Sequence, residues 1–186
     1  METNRKIPEY LPHYTVDDWE TWERGWELLN GIPFRKEPQP ESRHMDVLEN
    51  IRDLFRDELK SVNSDYRPKL MRNCFLKDDV VVAPGMLIDR KFITGANIYS
   101  VPALVMEVIS PVNKKDITAI KRLLYETKKI PYCLVVDPNS LTPEVEIFCY
   151  RENRYVLDVA GFNLSYEFKI GKEIITINFQ KIEGEL

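Results

Sequence analysis

The run Ala103–Ile109 is continuously apolar except for one carboxylate, Glu107, and forms the core of a predicted strand at Val101–Ser110. Such a run is typical of a strand that is buried on both faces of a sheet. An amphipathic helix is predicted at Asp116–Lys129, and a second buried strand at Tyr132–Asp137. Parallel strands joined through a helix cross over with a right hand, so this order predicts a central βαβ unit.

The N-terminal part carries local signals for a short helix and a hairpin. Thr15 and Asp18 stand three residues apart, as in a capping box. Asn30-Gly31 separates the apolar-rich stretches Trp26–Leu29 and Ile32–Lys36, which predicts a type I′ hairpin.

The remaining patterns complete a mixed architecture. Glu41–Val62 has apolar residues at helical spacing, whereas Tyr66–Leu76 and Asp79–Asp89 are predicted strands, the latter interrupted by Pro84-Gly85. Short alternating stretches that predict an antiparallel meander at the sheet edge lie at Glu144–Arg151, Arg154–Asp158, Tyr166–Ile170 and Glu173–Phe179. We therefore expect an α/β (α+β) fold in which helices flank a mixed central β-sheet.

Length and composition predict one domain over residues 1–186, with residues 1–13 as a flexible N-terminus. The longest apolar runs are too short to span a membrane. Met1–Tyr10 is polar and lacks the apolar core of a secretory signal, so a cytoplasmic protein is expected.

Charge and ligand residues limit the function classes. The net charge of −4 excludes a strongly basic nucleic-acid coat but allows a local basic patch. The three cysteines match neither a zinc pattern nor a disulfide framework. With only two histidines, any bound metal would be a hard cation held by carboxylates.

Glu107 is the most informative candidate, because a carboxylate in an apolar strand is costly to bury unless it is paired or bound to a metal. It is either half of a structural ion pair, for which Lys121 is a candidate, or an acidic group of a functional site. Lys121 borders the apolar face of its helix, where a lysine can simply extend its ammonium to solvent.

Basic residues recur at seven-residue spacing along this helix, which is nearly two turns. They could form a stripe for a phosphate backbone or a solvated charged face. The two series are Lys114, Lys121 and Lys128, and Lys115, Arg122 and Lys129.

Other candidates are weaker alone. Glu27 is a carboxylate in the first hairpin strand, and His44 fits a packing or capping role near the start of the long helix. Asp116 suits the first turn of a helix, where it complements the dipole.

Taken in order, these residues resemble the putative restriction endonuclease family of small bacterial proteins, within the PD-(D/E)XK nuclease superfamily. The similarity covers roughly Tyr14 to Tyr155. The matching pieces are Tyr14–Trp19, Glu27–Gly31, Glu37–His44, Val82–Gly85, Val101–Pro111, Asp116 with Lys121 and Tyr125, and Ile130–Asp137.

The resemblance implies a restriction-endonuclease-like fold, Mg²⁺ or Mn²⁺ as cofactor, DNA as partner, and hydrolysis of phosphodiester bonds. It makes Glu27 and Glu107 acidic, metal-binding site residues and Lys121 the catalytic lysine, moved from the strand to the helix. Ile109 stands where the standard E-x-K pattern has its lysine. His44 and Tyr125 match family positions as accessory residues, and a homodimer is also compatible with the family.

One departure bears directly on activity. The aspartate of the family's Pro-Asp pair is Gly85 here, and glycine offers no metal ligand. Asp89 points to the same sheet face but lies about 13 Å further along an extended strand. Cys133 stands where the family usually has tryptophan, which should affect packing only.

Three hypotheses follow from the sequence. The chain is a metal-dependent endonuclease with a weakened site, a degenerate relative that binds nucleic acid or protein without cutting, or an unrelated α/β domain with a structural Glu107–Lys121 pair. A close approach of Glu27, Glu107 and Lys121 would exclude the third.

Overall fold

The structure is a computed structural model that describes residues 12–36, 42–93, 95–109, 115–138, 144–161 and 164–185. Most of the predicted flexible N-terminus, residues 1–13, lies outside these ranges, as does Lys114 of the predicted basic stripe. Lys115 begins a helix, but its side chain is also outside the described part.

Helices flank the strands, as predicted. The described residues form three α-helices, α1 (Val16–Glu20), α2 (Ser42–Ser61) and α3 (Lys115–Thr127), and a 3-10 helix spans Phe179–Glu185. The strands are β1 (Trp26–Leu29), β2 (Ile32–Arg35), β3 (Tyr66–Leu70), β4 (Asn73–Lys77), β5 (Val80–Val82), β6 (Met86–Arg90), β7 (Asn97–Ile98), β8 (Leu104–Val108), β9 (Tyr132–Asp137), β10 (Glu144–Arg151), β11 (Arg154–Gly161), β12 (Ser165–Ile170) and β13 (Glu173–Asn178).

The main sheet has six strands in the order β11-β10-β9-β8-β6-β3. Within this sheet only the β8–β9 pair is parallel. Helix α3 connects these two strands along the chain. The predicted βαβ unit is therefore confirmed. In its register Glu107 pairs with Val135, so the carboxylate lies in the middle of the sheet.

A second sheet has five strands in the order β2-β1-β5-β4-β7. The predicted hairpin pairs β1 with β2. Its turn residues Asn30 and Gly31 have φ of 50° and 75°, the left-handed conformations that a type I′ turn needs at both positions. The predicted capping box of α1 is also present, since Thr15 and Asp18 exchange side-chain and backbone hydrogen bonds.

Two predicted strands are each divided between the two sheets. The interruption at Pro84-Gly85 was predicted, whereas the break at Met71 corrects the prediction. Tyr66–Leu76 breaks at Met71, where φ is 49°, and Asp79–Asp89 breaks at Ala83–Gly85. The breaks face each other, because the Met71 N–H donates to the Gly85 carbonyl at 3.0 Å. The pattern of Tyr66–Leu76 has no such interruption, so only the tertiary arrangement shows that the chain changes sheet at Met71.

The predicted C-terminal meander is also corrected. β10 and β11 extend the edge of the main sheet, whereas β12 and β13 form a separate two-stranded sheet. This hairpin packs against α2, with the Phe55 and Phe168 rings 5.1 Å apart.

The main sheet separates two apolar cores. One contains Leu48 of α2 with Met106 and Val108 of β8, and the other contains Val105 of β8 with Leu124 of α3. Side chains alternate along a strand, so Glu107 faces the α3 core together with Val105. Across the described residues, no helix is both long and apolar enough to cross a membrane.

Candidate active site

Three residues that are far apart in the sequence meet beside the main sheet. Lys121 Nζ lies 2.6 Å from Glu107 Oε1 and 3.1 Å from Glu27 Oε1. All three residues are at least nine-tenths buried. A buried ammonium between two carboxylates compensates charges that would be very costly alone. The convergence predicted for these residues is therefore present.

Three separate elements position this cluster. Glu27 comes from β1 of the second sheet, Glu107 from β8 of the main sheet, and Lys121 from the inner face of α3. The Ala83 N–H donates to Glu27 Oε1 at 2.5 Å, and the Lys121 ammonium approaches the Ala83 carbonyl oxygen at 3.5 Å. The cluster thus lies at the corner where the chain passes between the two sheets.

Tyr125 belongs to the same cluster and is fully buried. It stands four residues after Lys121, so both side chains leave the same face of α3. Its hydroxyl donates a hydrogen bond to Glu107 Oε1. Burial, with the nearby Glu107 charge, raises the pKa of Tyr125 well above its usual value, so the phenol stays a donor at neutral pH.

The electrostatics follow from burial and from opposite charges. Burial raises the pKa of Glu107, Lys121 opposes this shift, and the like charge of Glu27 adds to it. Burial alone would lower the pKa of Lys121, but Glu107 and Glu27 outweigh it, so the pKa is raised. Lys121 is therefore a permanent cation here.

Lys36 is a second lysine at this place, and the sequence patterns did not identify it. It follows β2 and is half-buried, with its ammonium donating to Asn73 Oδ1 at 3.3 Å. Burial lowers the pKa of Lys36, while the carboxylates of Glu27 and Glu107 oppose that shift. The fold therefore places two cations beside two carboxylates.

Gly85 lies two residues after Ala83, which holds Glu27, but a side chain at position 85 would point away from the two carboxylates. A Cβ added there would lie 3.2 Å from Leu48 Cδ1, 3.4 Å from the Met106 carbonyl oxygen and 3.9 Å from Val108 Cγ2. Leu48 and Val108 belong to the α2 core, on the opposite face of the sheet from Glu107. The local backbone does not point residue 85 at the two carboxylates.

Asp89 does not replace the missing aspartate, and Ile109 does not replace the lysine of the E-x-K pattern. Asp89 is buried, but its carboxylate accepts from Ser100 Oγ at 2.5 Å and from the Arg90 N–H at 2.7 Å. Ile109 packs against the α3 core, so Lys121 provides the lysine from the helix instead. Cys133 is fully buried in the same core, consistent with a packing role.

The remaining candidates lie outside the cluster. His44 is half-buried on α2, the helix that covers the opposite face of the main sheet. Asp116 is exposed in the first turn of α3, where the helix dipole favours a carboxylate. The accessory role assigned to His44 stays a prediction.

The predicted basic stripe is not one continuous surface, which corrects that interpretation. Lys121 points into the cluster, and the Arg122 guanidinium lies 4.1 Å from the centre of the Phe148 ring. Lys128 and Lys129 follow the end of α3, where Lys129 has φ of 56°. Nucleic-acid binding by Arg122 and Lys128 stays a prediction.

The donor chemistry of the cluster fits Mg²⁺ or Mn²⁺ only as a two-carboxylate site. Among the described residues there is no group of three or more acidic, histidine or cysteine side chains that could hold a metal ion. Mg²⁺ accepts one or two carboxylates when substrate phosphate and water complete its shell. Glu27 and Glu107 are the two carboxylates that would hold such an ion, and Lys121 contacts the Oε1 atom of each.

Comparison with known proteins gives the fold and the family of the chain. The chain is similar in structure to a putative nuclease belonging to DUF820 from Anabaena variabilis ATCC 29413, with a TM-score of 0.73 and 11% sequence identity over 91% of this chain and 97% of that chain. That likeness shows the fold. A comparison with curated proteins gives no match. The model of the Uma2 family, described as putative restriction endonuclease, matches residues 8–168, and the chain belongs to this family.

Proposed function

We propose that the chain is an endonuclease that hydrolyses DNA phosphodiester bonds with the help of Mg²⁺ or Mn²⁺, at a rate lowered by the loss of the family aspartate at Gly85. The observation that carries the proposal is the convergence of Glu27, Glu107 and Lys121 from three separate elements. Membership of the family supports a nuclease at the coarse level. Metal dependence and the residue roles are the finer part of the proposal.

Each residue has a role that suits phosphodiester cleavage. Glu27 and Glu107 would hold the cation, which when bound polarises a phosphoryl oxygen and lowers the pKa of an attacking water. The Lys121 ammonium would stabilise the negative charge that develops on the phosphate in the transition state. Tyr125 would hold Glu107 in position, since its hydroxyl bonds the carboxylate from within the core.

The proposed impairment follows from ligand number. With Gly85 in place of aspartate, the cation would have two protein carboxylates, and weaker binding should require higher metal concentrations. Lys121 also neutralises both carboxylates, which reduces their attraction for a divalent ion.

A second candidate function is favoured by that same neutralisation. A lysine between two carboxylates compensates their buried charges without any metal, as a nuclease-fold protein that binds nucleic acid or protein without cutting would need. The homodimer that is compatible with the family stays a prediction.

Plasmid nicking tests the proposal. Supercoiled DNA is incubated with the protein in Mg²⁺ and then in Mn²⁺, and compared with Glu107→Gln. Asp89→Asn is the matched control, because it alters another buried carboxylate on a neighbouring strand. Slow nicking that Glu107→Gln abolishes and Asp89→Asn retains supports the endonuclease. Equal nicking by all three proteins, or none by any, contradicts it.

A further inference from the structure

An open cleft of about 690 Å³ lies next to the candidate active site. All three tryptophans of the chain line it, namely Trp19, Trp22 and Trp26, and Met71 adds an exposed apolar side chain. Flat aromatic rings at the wall of an open cleft can stack on any planar ligand.

The rings are fixed before any ligand arrives. The Trp19 indole N–H donates to the Trp26 carbonyl at 2.9 Å. Trp22 stands edge-on to both Trp26 and Tyr14, with ring centres 6.2 Å and 5.2 Å apart. A wall held in this way loses little conformational entropy on binding, which favours affinity.

Polar groups in the cleft form a connected row. Lys36 donates to the Asn73 side-chain oxygen at 3.3 Å, and the Asn73 amide nitrogen donates to the Asn97 side-chain oxygen at 3.2 Å. Asparagine amides present a donor and an acceptor together, and that combination matches the edge of a nucleobase.

Hydrogen bonds at the corner between the two sheets connect the cleft wall with the acidic cluster. Met71 at its rim is bonded through its N–H to the Gly85 carbonyl, at the corner whose Ala83 N–H holds Glu27. Lys36 lines the cleft, where burial lowers the pKa of its ammonium and the charges of Glu27 and Glu107 oppose that shift.

The charges around the cleft limit the ligand. Glu20 and Glu23 balance Arg24 and Lys36, so the lining as a whole carries no net positive charge. A ligand that contributes one planar ring and one phosphate at Lys36 fits this balance better than a duplex, which would bring many phosphates.

We propose that this cleft binds an unpaired nucleobase of a single-stranded nucleic acid, stacked on the tryptophan wall with its phosphate at Lys36. The choice of a nucleic acid rests on the proposed endonuclease function, and the inference adds that the strand is engaged through an unstacked base. Duplex DNA would then be bound only where a base is unpaired or turned out of the helix.

Intrinsic fluorescence tests the inference directly, because all three tryptophans line this cleft. The full chain is titrated with a ten-residue oligothymidylate in EDTA, so that cleavage does not interfere, and with the same strand paired to oligoadenylate. Saturable quenching by the single strand is expected, with binding at least tenfold weaker for the duplex.

Variants locate the binding. Trp22→Ala should raise the Kd about tenfold, as expected for the loss of one stacked base, and Trp22→Phe should retain most of the affinity. Lys36→Gln should reduce the salt dependence of log K by about 0.7, the value for one phosphate on a single strand, whereas Lys60→Gln on α2 should not. Circular dichroism shows that each variant is folded.

The outcomes separate this inference from the proposed function. Quenching without any cleavage in the plasmid assay supports the cleft and contradicts the endonuclease. Cleavage with no tryptophan response overturns the cleft and leaves the endonuclease intact. Equal quenching by single strand and duplex, unchanged binding in Trp22→Ala, or quenching by peptides but not by oligonucleotides also overturns the inference.

Discussion

Lys121 and Tyr125, one turn apart on α3, contact the same atom, Oε1 of Glu107. Helix α3, which follows β8 in the chain, therefore provides two side chains that contact the Glu107 carboxylate of β8. This arrangement explains how an isolated acidic residue can lie in the middle of a buried strand. It also makes the ion pair and the candidate active site one structural unit, so stability and activity should respond to the same substitutions.

Replacing Lys121 should be strongly destabilising. Lys121→Met keeps the length of the side chain but leaves Glu27 and Glu107 buried without their cation, which should cost about 3–5 kcal/mol. Urea unfolding measures the change. Lys60→Met is the matched control at an exposed position of α2, and its effect should stay within about 0.5 kcal/mol. Equal midpoints for the two variants would contradict a structural role of the ammonium.

Tyr125→Phe should separate the hydroxyl from the ring. The ring still fills the α3 core, so only the hydrogen bond to Glu107 is lost, at a cost of about 1–2 kcal/mol. Tyr150→Phe serves as control, because its hydroxyl makes a long, exposed contact of 3.5 Å with Asn153. A Tyr125→Phe protein with unchanged stability and unchanged nicking would show that the hydroxyl does not hold Glu107.

Restoring the family residue at position 85 should not restore the family's activity. In Gly85→Asp the new carboxylate begins on the α2 face, 3.2 Å from Leu48 Cδ1, so overpacking should cost about 1–3 kcal/mol. Gly85→Ala is the control that measures the destabilisation caused by the added Cβ alone, without a carboxylate. Thermal unfolding and plasmid nicking are measured together, and a gain of activity by Gly85→Asp at undiminished stability would show that the corner can turn towards Glu27.

Arg122 should matter more for packing than for nucleic-acid binding. Its guanidinium lies over the Phe148 ring, an interaction worth about 0.5–1 kcal/mol. Arg122→Ala should therefore lower the unfolding free energy by about that amount and leave the affinity for oligonucleotides unchanged. An affinity loss without a stability loss would restore the role that the seven-residue spacing predicted for Arg122.

The sequence predicted those parts of the fold and site that depend on local patterns. The βαβ unit could be predicted because an apolar strand, an amphipathic helix and a second apolar strand follow one another. Glu107 could be identified because a carboxylate interrupts an apolar run. Its partner Lys121 could be identified because it borders the apolar face of the next predicted helix.

Features that depend on distant contacts were not predictable in this way. Lys36 has no periodic signal, and its ammonium donates to the side chain of Asn73, 37 residues further on. The change of sheet at Met71 depends on a hydrogen bond to Gly85 across the chain. Arg122 was assigned to a basic stripe because residue spacing gives the position of a side chain around the helix. Spacing does not show that the Arg122 guanidinium lies over the Phe148 ring.

The sharpest test of the proposed active site is single-turnover cleavage of an end-labelled single-stranded oligonucleotide in Mn²⁺. The wild-type chain is compared with Glu107→Gln and with the Asp89→Asn control, all purified in the same way. We predict slow cleavage by the wild type and by Asp89→Asn, at least tenfold reduced in Glu107→Gln and absent in EDTA. The same rate in Glu107→Gln as in the wild type, or no cleavage by any of the three, would contradict an active site built on Glu27, Glu107 and Lys121.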